Sequence, residues 1–189
     1  MQPNVTDEEH VKTMTLEAFA DTILPGEKRW PDDRAIAGAS QGPGAVAAGA
    51  LDLLHVPATG MSEVLDYLST VLNDHAQEYA ENAGLAPDET VPAFVALPFA
   101  HRTALVQALT SPGHVEKEVW VGLALFSNMA FDSAPHLHTA EAIAAGHPGL
   151  TAMGFTAPDG DGLWRFPGYS YRRQLAALHP DTTPSGSPR

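Results

Sequence analysis

Between Ser62 and Ala80, apolar residues return every third or fourth position. Val64, Leu65, Leu68, Val71, Leu72, Ala76 and Tyr79 share one stripe, while Asp66, Ser69, Asn73, Gln77 and Glu81 fall elsewhere. This is the period of an α-helix with one buried face, and such a face needs other elements to cover it.

The flanking segments supply them in the same period. Leu16, Phe19, Ala20, Ile23 and Leu24 form the apolar side of a helix that Thr6 caps, with Glu9 reaching back in a capping box, and that Pro25-Gly26 stops. Pro43 suits the start of a helix GAVAAGALDLL ending near His55, with Ala45, Ala48 and Gly49 as a small-residue face that lets a neighbouring helix approach. After a linker with Gly84, Pro87 and Pro92, Phe99, Leu105, Val106 and Leu109 repeat at helical spacing. Ser111-Pro112 then reads as a cap and first helical residue for an apolar helix from Val115 to Phe131, expected to be the most buried. A short AEAIAA helix capped by Thr139 follows. No segment alternates as a strand does, so the expectation is an all-α fold: a single helical domain of about five main helices over residues 1–180, with long loops and an irregular C-terminal segment, and a disordered tail over 181–189.

Glu27 to Gly44, EKRWPDDRAIAGASQGPG, has neither period. A structureless stretch of this length inside a compact domain is a docking surface or a disordered insertion, and Trp30 argues against pure disorder.

Of the 189 residues 44% are hydrophobic and 17% charged, a globular balance. The formal charge of -13 repels polyphosphate and excludes nucleic acid as an expected partner. With no cysteine there is no disulfide, thiolate metal site, covalent haem or thiol nucleophile. No stretch approaches the roughly 20 apolar residues of a membrane helix, and the first residues do not resemble a signal peptide, so the expected location is cytoplasmic.

Signals for chemistry are sparse. His136, His138 and His147 crowd one loop, with His114 upstream, and could meet on zinc, iron or copper; solvent-facing or locally bonded imidazoles are the plainer account, and no metal ligand is assigned. GASQGPG, Gly38 to Gly44, could offer backbone amides to an anion but lacks the lysine of a phosphate loop. Asp32-Asp33 and Asp159/Asp161 read as solvated turn residues. No catalytic residue is assigned. DGLWRFPGYSYRR, Asp161 to Arg173, holds much ring surface and positive charge, which must cover the chain's own core or meet another molecule.

Six stretches follow one another in an order that resembles the small subunit, often called subunit 3, of gluconate 2-dehydrogenase and related sugar dehydrogenases. They are FADTILPG at Phe19 to Gly26, GPGAVAAGALDLL at Gly42 to Leu54, FVALPFAHRTALVQAL at Phe94 to Leu109, LFSNMAFDS at Leu125 to Ser133, GLTAMGF at Gly149 to Phe155 and FPGYSYR at Phe166 to Arg172. The resemblance implies a helical, non-catalytic companion with no cofactor of its own. It implies a partner too, the large subunit of a flavin-dependent oxidoreductase of the glucose-methanol-choline type, which carries FAD, often beside a multihaem cytochrome. The twin-arginine signal common in that family has no counterpart here, so export would be as a passenger on the partner. The expected contact residues are Trp30, Trp164, Phe166, Tyr169, Tyr171, Arg172 and Arg173. Two other readings stand beside this one: a standalone enzyme, metal-dependent through His136, His138 and His147 or cofactor-free, and a homodimer formed through the same aromatic surface.

Overall fold

The computed structural model of the chain describes residues 5–157 and residue 181. Met1–Phe155 form one compact unit and Thr156–Arg189 a second, and every element described below belongs to the first. Its elements in chain order are α1 (Val5–Ile23), α2 (Ala50–Leu54), a 3-10 turn (Pro57–Thr59), α3 (Leu65–Asn82), α4 (Ala93–Ala96), α5 (Phe99–Leu109), α6 (Lys117–Asp132), α7 (Thr139–Ala144) and α8 (Pro148–Ala152). The fold is all-α, with no strand among the described residues. No described helix is long and apolar enough to cross a membrane.

Helix α1 is the axis of the unit and packs against α2, α3, α4, α5 and α6. Its Leu16 and Phe19 enter a core that also takes Leu65, Leu68, Leu72 and Ala76 of α3, Phe94, Leu105, Leu109, Trp120 and Leu123. The Phe19 ring lies 6.4 Å from Phe94 and 6.1 Å from Trp120. The stripe read between Ser62 and Ala80 therefore is the buried face of α3, except that Val64 precedes the helix and is exposed. Asn73, beside that stripe, is structural: its amide donates to Thr15 Oγ1 and Ser69 O, and its Oδ1 accepts the Phe94 amide at 3.0 Å. One side chain thereby joins α1, α3 and α4.

Several expected helix signals take other roles. Helix α1 runs from Val5, and Glu9 in its second turn pairs with Lys12 at 2.6 Å. Lys12 also reaches Asp66 of α3 at 2.8 Å. Residues 45–49 form turns, and Gly49 sits at φ 81°, so α2 starts only at Ala50. The expected small-residue contact is nonetheless made, since Ala45 and Ala48 are buried and α2 packs on α6. Ser111 caps nothing; its hydroxyl donates back to Gln107 O at 2.6 Å, and α6 starts five residues after Pro112. Thr139 is the first residue of α7, whose cap position is His138. Helix α6 is not the most buried either: Trp120, Leu123, Ser127 and Ala130 are enclosed, while Val121 and Leu125 are exposed.

Candidate functional site

The loop between α1 and α2 is long, irregular and fastened. At its neck the two ends run side by side, with the Glu27 amide donating to Gly42 O at 2.8 Å and the Ala45 amide to Leu24 O at 3.0 Å. Gly26 and Gly44 meet there so closely that a Cβ on Gly26 would lie 2.5 Å from Gly44 N, a contact only two glycines permit. The glycines of GASQGPG thus serve the closure of a loop, and no helix begins at them to present amides to an anion.

Three buried charged residues hold the loop from within. Asp21, fully enclosed in α1, accepts the Gly26 amide on Oδ1 at 3.1 Å and the Ala37 amide on Oδ2 at 2.8 Å. Burial pushes its carboxyl pKa up, against these two amides and the nearby Arg102 charge, which pull it down. Arg102 of α5 crosses the core to the same loop. Its guanidinium donates to Leu97 O (3.0 Å), Ala35 O (2.8 Å), Arg34 O (3.1 Å) and Val95 O (2.5 Å). Burial lowers the Arg102 pKa to about 10, which leaves it charged at neutral pH. The third is Asp33, expected to be a solvated turn residue but only 2% exposed. It accepts from Arg29 Nε at 2.7 Å and from the Ile36 amide at 3.3 Å. Its burial raises the carboxyl pKa, but the Arg29 and Ile36 bonds outweigh it and the net direction is down. Arg29 spans outward to Glu17 of α1 in a two-pronged pair at 2.5 and 2.7 Å, and Arg34 reaches Asp88 at 2.9 Å.

What this framework presents to solvent is Trp30. The ring is 53% exposed and the Arg29 guanidinium carbon lies 4.6 Å from its centroid, so the aromatic face is already stacked. Beside it runs an open groove of about 720 Å³ between α1, the loop and the segment Glu89–Pro92, with Met14, Val91 and Pro92 in its wall. A large aromatic surface on a framework that cannot collapse over it is suited to contact with another macromolecule.

The chain belongs to a family of unknown function, DUF5987. The match runs over residues 10–189 and so takes in the loop, its fasteners and the aromatic C-terminal stretch. No curated protein and no solved structure matches the chain.

Of the expected contact residues, Trp30 lies on this face; Trp164, Phe166, Tyr169, Tyr171, Arg172 and Arg173 lie outside the described residues, as do Asp159 and Asp161. The crowded histidine loop does not form a ligand set. His147 uses both ring nitrogens on backbone, with Nε2 donating to Ala48 O at 3.0 Å and Nδ1 accepting the Leu150 amide at 3.2 Å. His136 packs edge-on against that ring at 6.4 Å, and His138 is exposed at the start of α7. His114 lies instead beside His75 and Glu116. Sequence reasoning missed Asp21, Asp33 and Arg102 as fasteners. The one available signal was a charged residue inside an apolar helical period, as Asp21 is between Ala20 and Ile23 and Arg102 is ahead of Leu105 and Val106.

Proposed function

We propose that this chain is a non-catalytic accessory subunit that docks on a flavin-dependent oxidoreductase of the glucose-methanol-choline type, using Trp30 as one anchor and leaving FAD to the partner. The observation that carries this reading is the half-exposed, arginine-stacked Trp30 on a loop fixed from inside by Asp21, Asp33 and Arg102. An anchor held in place before contact loses little conformational freedom on binding, and tryptophan and arginine dominate interface hot spots.

Three of the six stretches that carry the resemblance to dehydrogenase small subunits also build this face. FADTILPG supplies Asp21 and Gly26, GPGAVAAGALDLL supplies Gly44, and FVALPFAHRTALVQAL supplies Val95, Leu97 and Arg102. On this reading, what the resembling stretches build in this chain is the scaffold of a presented loop. Its buried ionisable groups fit the same reading, because Asp21, Asp33 and Arg102 are engaged with backbone groups and with Arg29. Trp164, Phe166, Tyr169, Tyr171, Arg172 and Arg173 complete the proposed contact set.

Capture of the full chain from its native cells, with mass spectrometry and flavin absorbance as readouts, tests the reading. The wild-type chain retains a flavin-containing polypeptide. Trp30→Ala leaves the unfolding free energy within about 0.5 kcal/mol, as befits an exposed site, and weakens retention at least about tenfold, or about 1.4 kcal/mol. Repeated recovery of no flavoprotein, or equal retention by Trp30→Ala, would sink the respective halves of the proposal.

A further inference from the structure

Away from the loop, the middle of α3 faces the turn that leads into α6. His75 projects from α3 next to the buried Ala76, and its Nε2 donates to Glu116 Oε2 at 2.8 Å. Glu116 stands immediately before α6, in its cap position, with its carboxylate turned to side chains and not to the amides of the helix. Trp120, one turn further on and wholly buried, donates its indole N–H to the same Oε2 at 3.0 Å. His114 holds the third corner: its Nδ1 accepts the Glu116 backbone amide at 3.2 Å, and its ring meets His75 edge to face at 5.9 Å. One donor atom each from His75, His114 and Glu116 can be chosen so that all lie within 4.8 Å of one another. All three residues are half-buried, open enough to admit an ion and backed by the core through Trp120.

We propose that His75, His114 and Glu116 form a binding site for one divalent transition-metal ion of the zinc class, tying the middle of α3 to the start of α6. Two imidazoles and a carboxylate are a ligand set that suits zinc, with the fourth tetrahedral position left to water. Ligands at zinc distances stand about 3.4 Å apart around a tetrahedral ion. The three donor atoms stand within 4.8 Å of one another, so rotation of the His75, His114 and Glu116 side chains is what has to bring them to that spacing.

The hydrogen bonds already present suit the exchange. Among the described residues, both side-chain bonds to Glu116 fall on Oε2, so Oε1 can turn to the metal while Trp120 keeps its hold. An indole that orients a ligating carboxylate acts as outer-sphere partners do in metal sites. His75 ligating through Nε2 gives up its bond to Glu116 Oε2 and carries its ring proton on Nδ1. His114 ligating through Nδ1 gives up its long bond to the Glu116 amide.

The test uses the full chain without a polyhistidine tag, stripped of metal by a chelator and titrated with ZnCl2 by calorimetry, with Co2+ absorption as a second probe. The wild-type chain binds one equivalent, and zinc raises its thermal midpoint. His75→Ala and His114→Ala bind at least tenfold more weakly and lose the zinc-dependent rise, while circular dichroism shows them folded. His136→Ala and His138→Ala bind within twofold of wild type. The His114 ring lies in a turn at the surface and bonds a neighbouring amide, so the test stands on that variant if His75→Ala does not fold. No stoichiometric binding by the wild type, wild-type affinity in folded His114→Ala, or equal weakening by His136→Ala would each overturn the site.

Discussion

The carbonyls of Arg34, Ala35, Val95 and Leu97 all turn toward a single guanidinium, and the side chain that bears it is 4% exposed. Removing Arg102 would strip four acceptors of their donor in a place water does not readily reach, and each unsatisfied buried polar group costs about 1–3 kcal/mol. Arg102→Ala is therefore expected to lower the unfolding free energy by about 3 kcal/mol or more, measured by urea denaturation. Arg102→Lys should recover only part of this, because an ammonium is a point donor and cannot span carbonyls drawn from both the loop and α5's approach. A loss under about 1 kcal/mol in Arg102→Ala would mean that the carbonyls find other partners and that the loop is not held from the core.

At the scale of elements, the neck of the loop is where sequence and shape meet most tightly. A Cβ on Gly44 would stand 2.5 Å from Gly26 N and 2.6 Å from Leu24 O, both backbone atoms that cannot rotate away. Gly44→Ala should lose about 1–3 kcal/mol, as overpacking does. It should also expose the loop, so that trypsin cuts at Lys28, Arg29 or Arg34 faster than in wild type while α3 and α5 remain protected. Unchanged cleavage would show that the neck tolerates separation. The helices themselves were largely legible, because the helical period within a single segment marks the buried face of α3 and the apolar positions of α5 whatever covers them. The loop's order was not, because it depends on partners far along the chain: Asp21 bonds Ala37 across 16 positions and Arg102 bonds Ala35 across 67. The segment ahead of α2 was misread for a related reason. Gly-Ala-Val-Ala-Ala has helical composition, but the neck at Gly44 and the positive φ of Gly49 impose turns that composition does not register. The histidines of the 136–147 loop drew attention by crowding in sequence, whereas the cluster the fold assembles takes His75 from a helix 39 positions before His114.

For the whole molecule, the acidic excess makes carboxylates the main determinants of stability against pH, and they do not all act in one direction. Glu116 and Asp33 have folded-state pKa values below their unfolded ones, so the stability they contribute is present above the unfolded carboxylate range and is lost as pH falls through their folded values. Asp21 is the reverse. Burial raises its folded pKa, so the folded state takes up that proton first, and its contribution grows as pH falls toward the unfolded value and is lost as pH rises. Two variants separate these effects when urea unfolding is compared at neutral pH and at a pH near the unfolded carboxylate range of about 4. The stability gap between wild type and Glu116→Gln should narrow on acidification, since wild type loses what the variant already lacks. The gap between wild type and Asp21→Asn should move in favour of wild type, since only wild type gains from protonating the buried carboxyl. Asp21→Asn also replaces one of two amide acceptors with a donor, so at neutral pH it is expected to be less stable by about 1–3 kcal/mol. Gaps that shift in the same direction for both variants would contradict the opposing assignments and, with them, the view that Asp21 holds the loop from a site where its charge is held against burial.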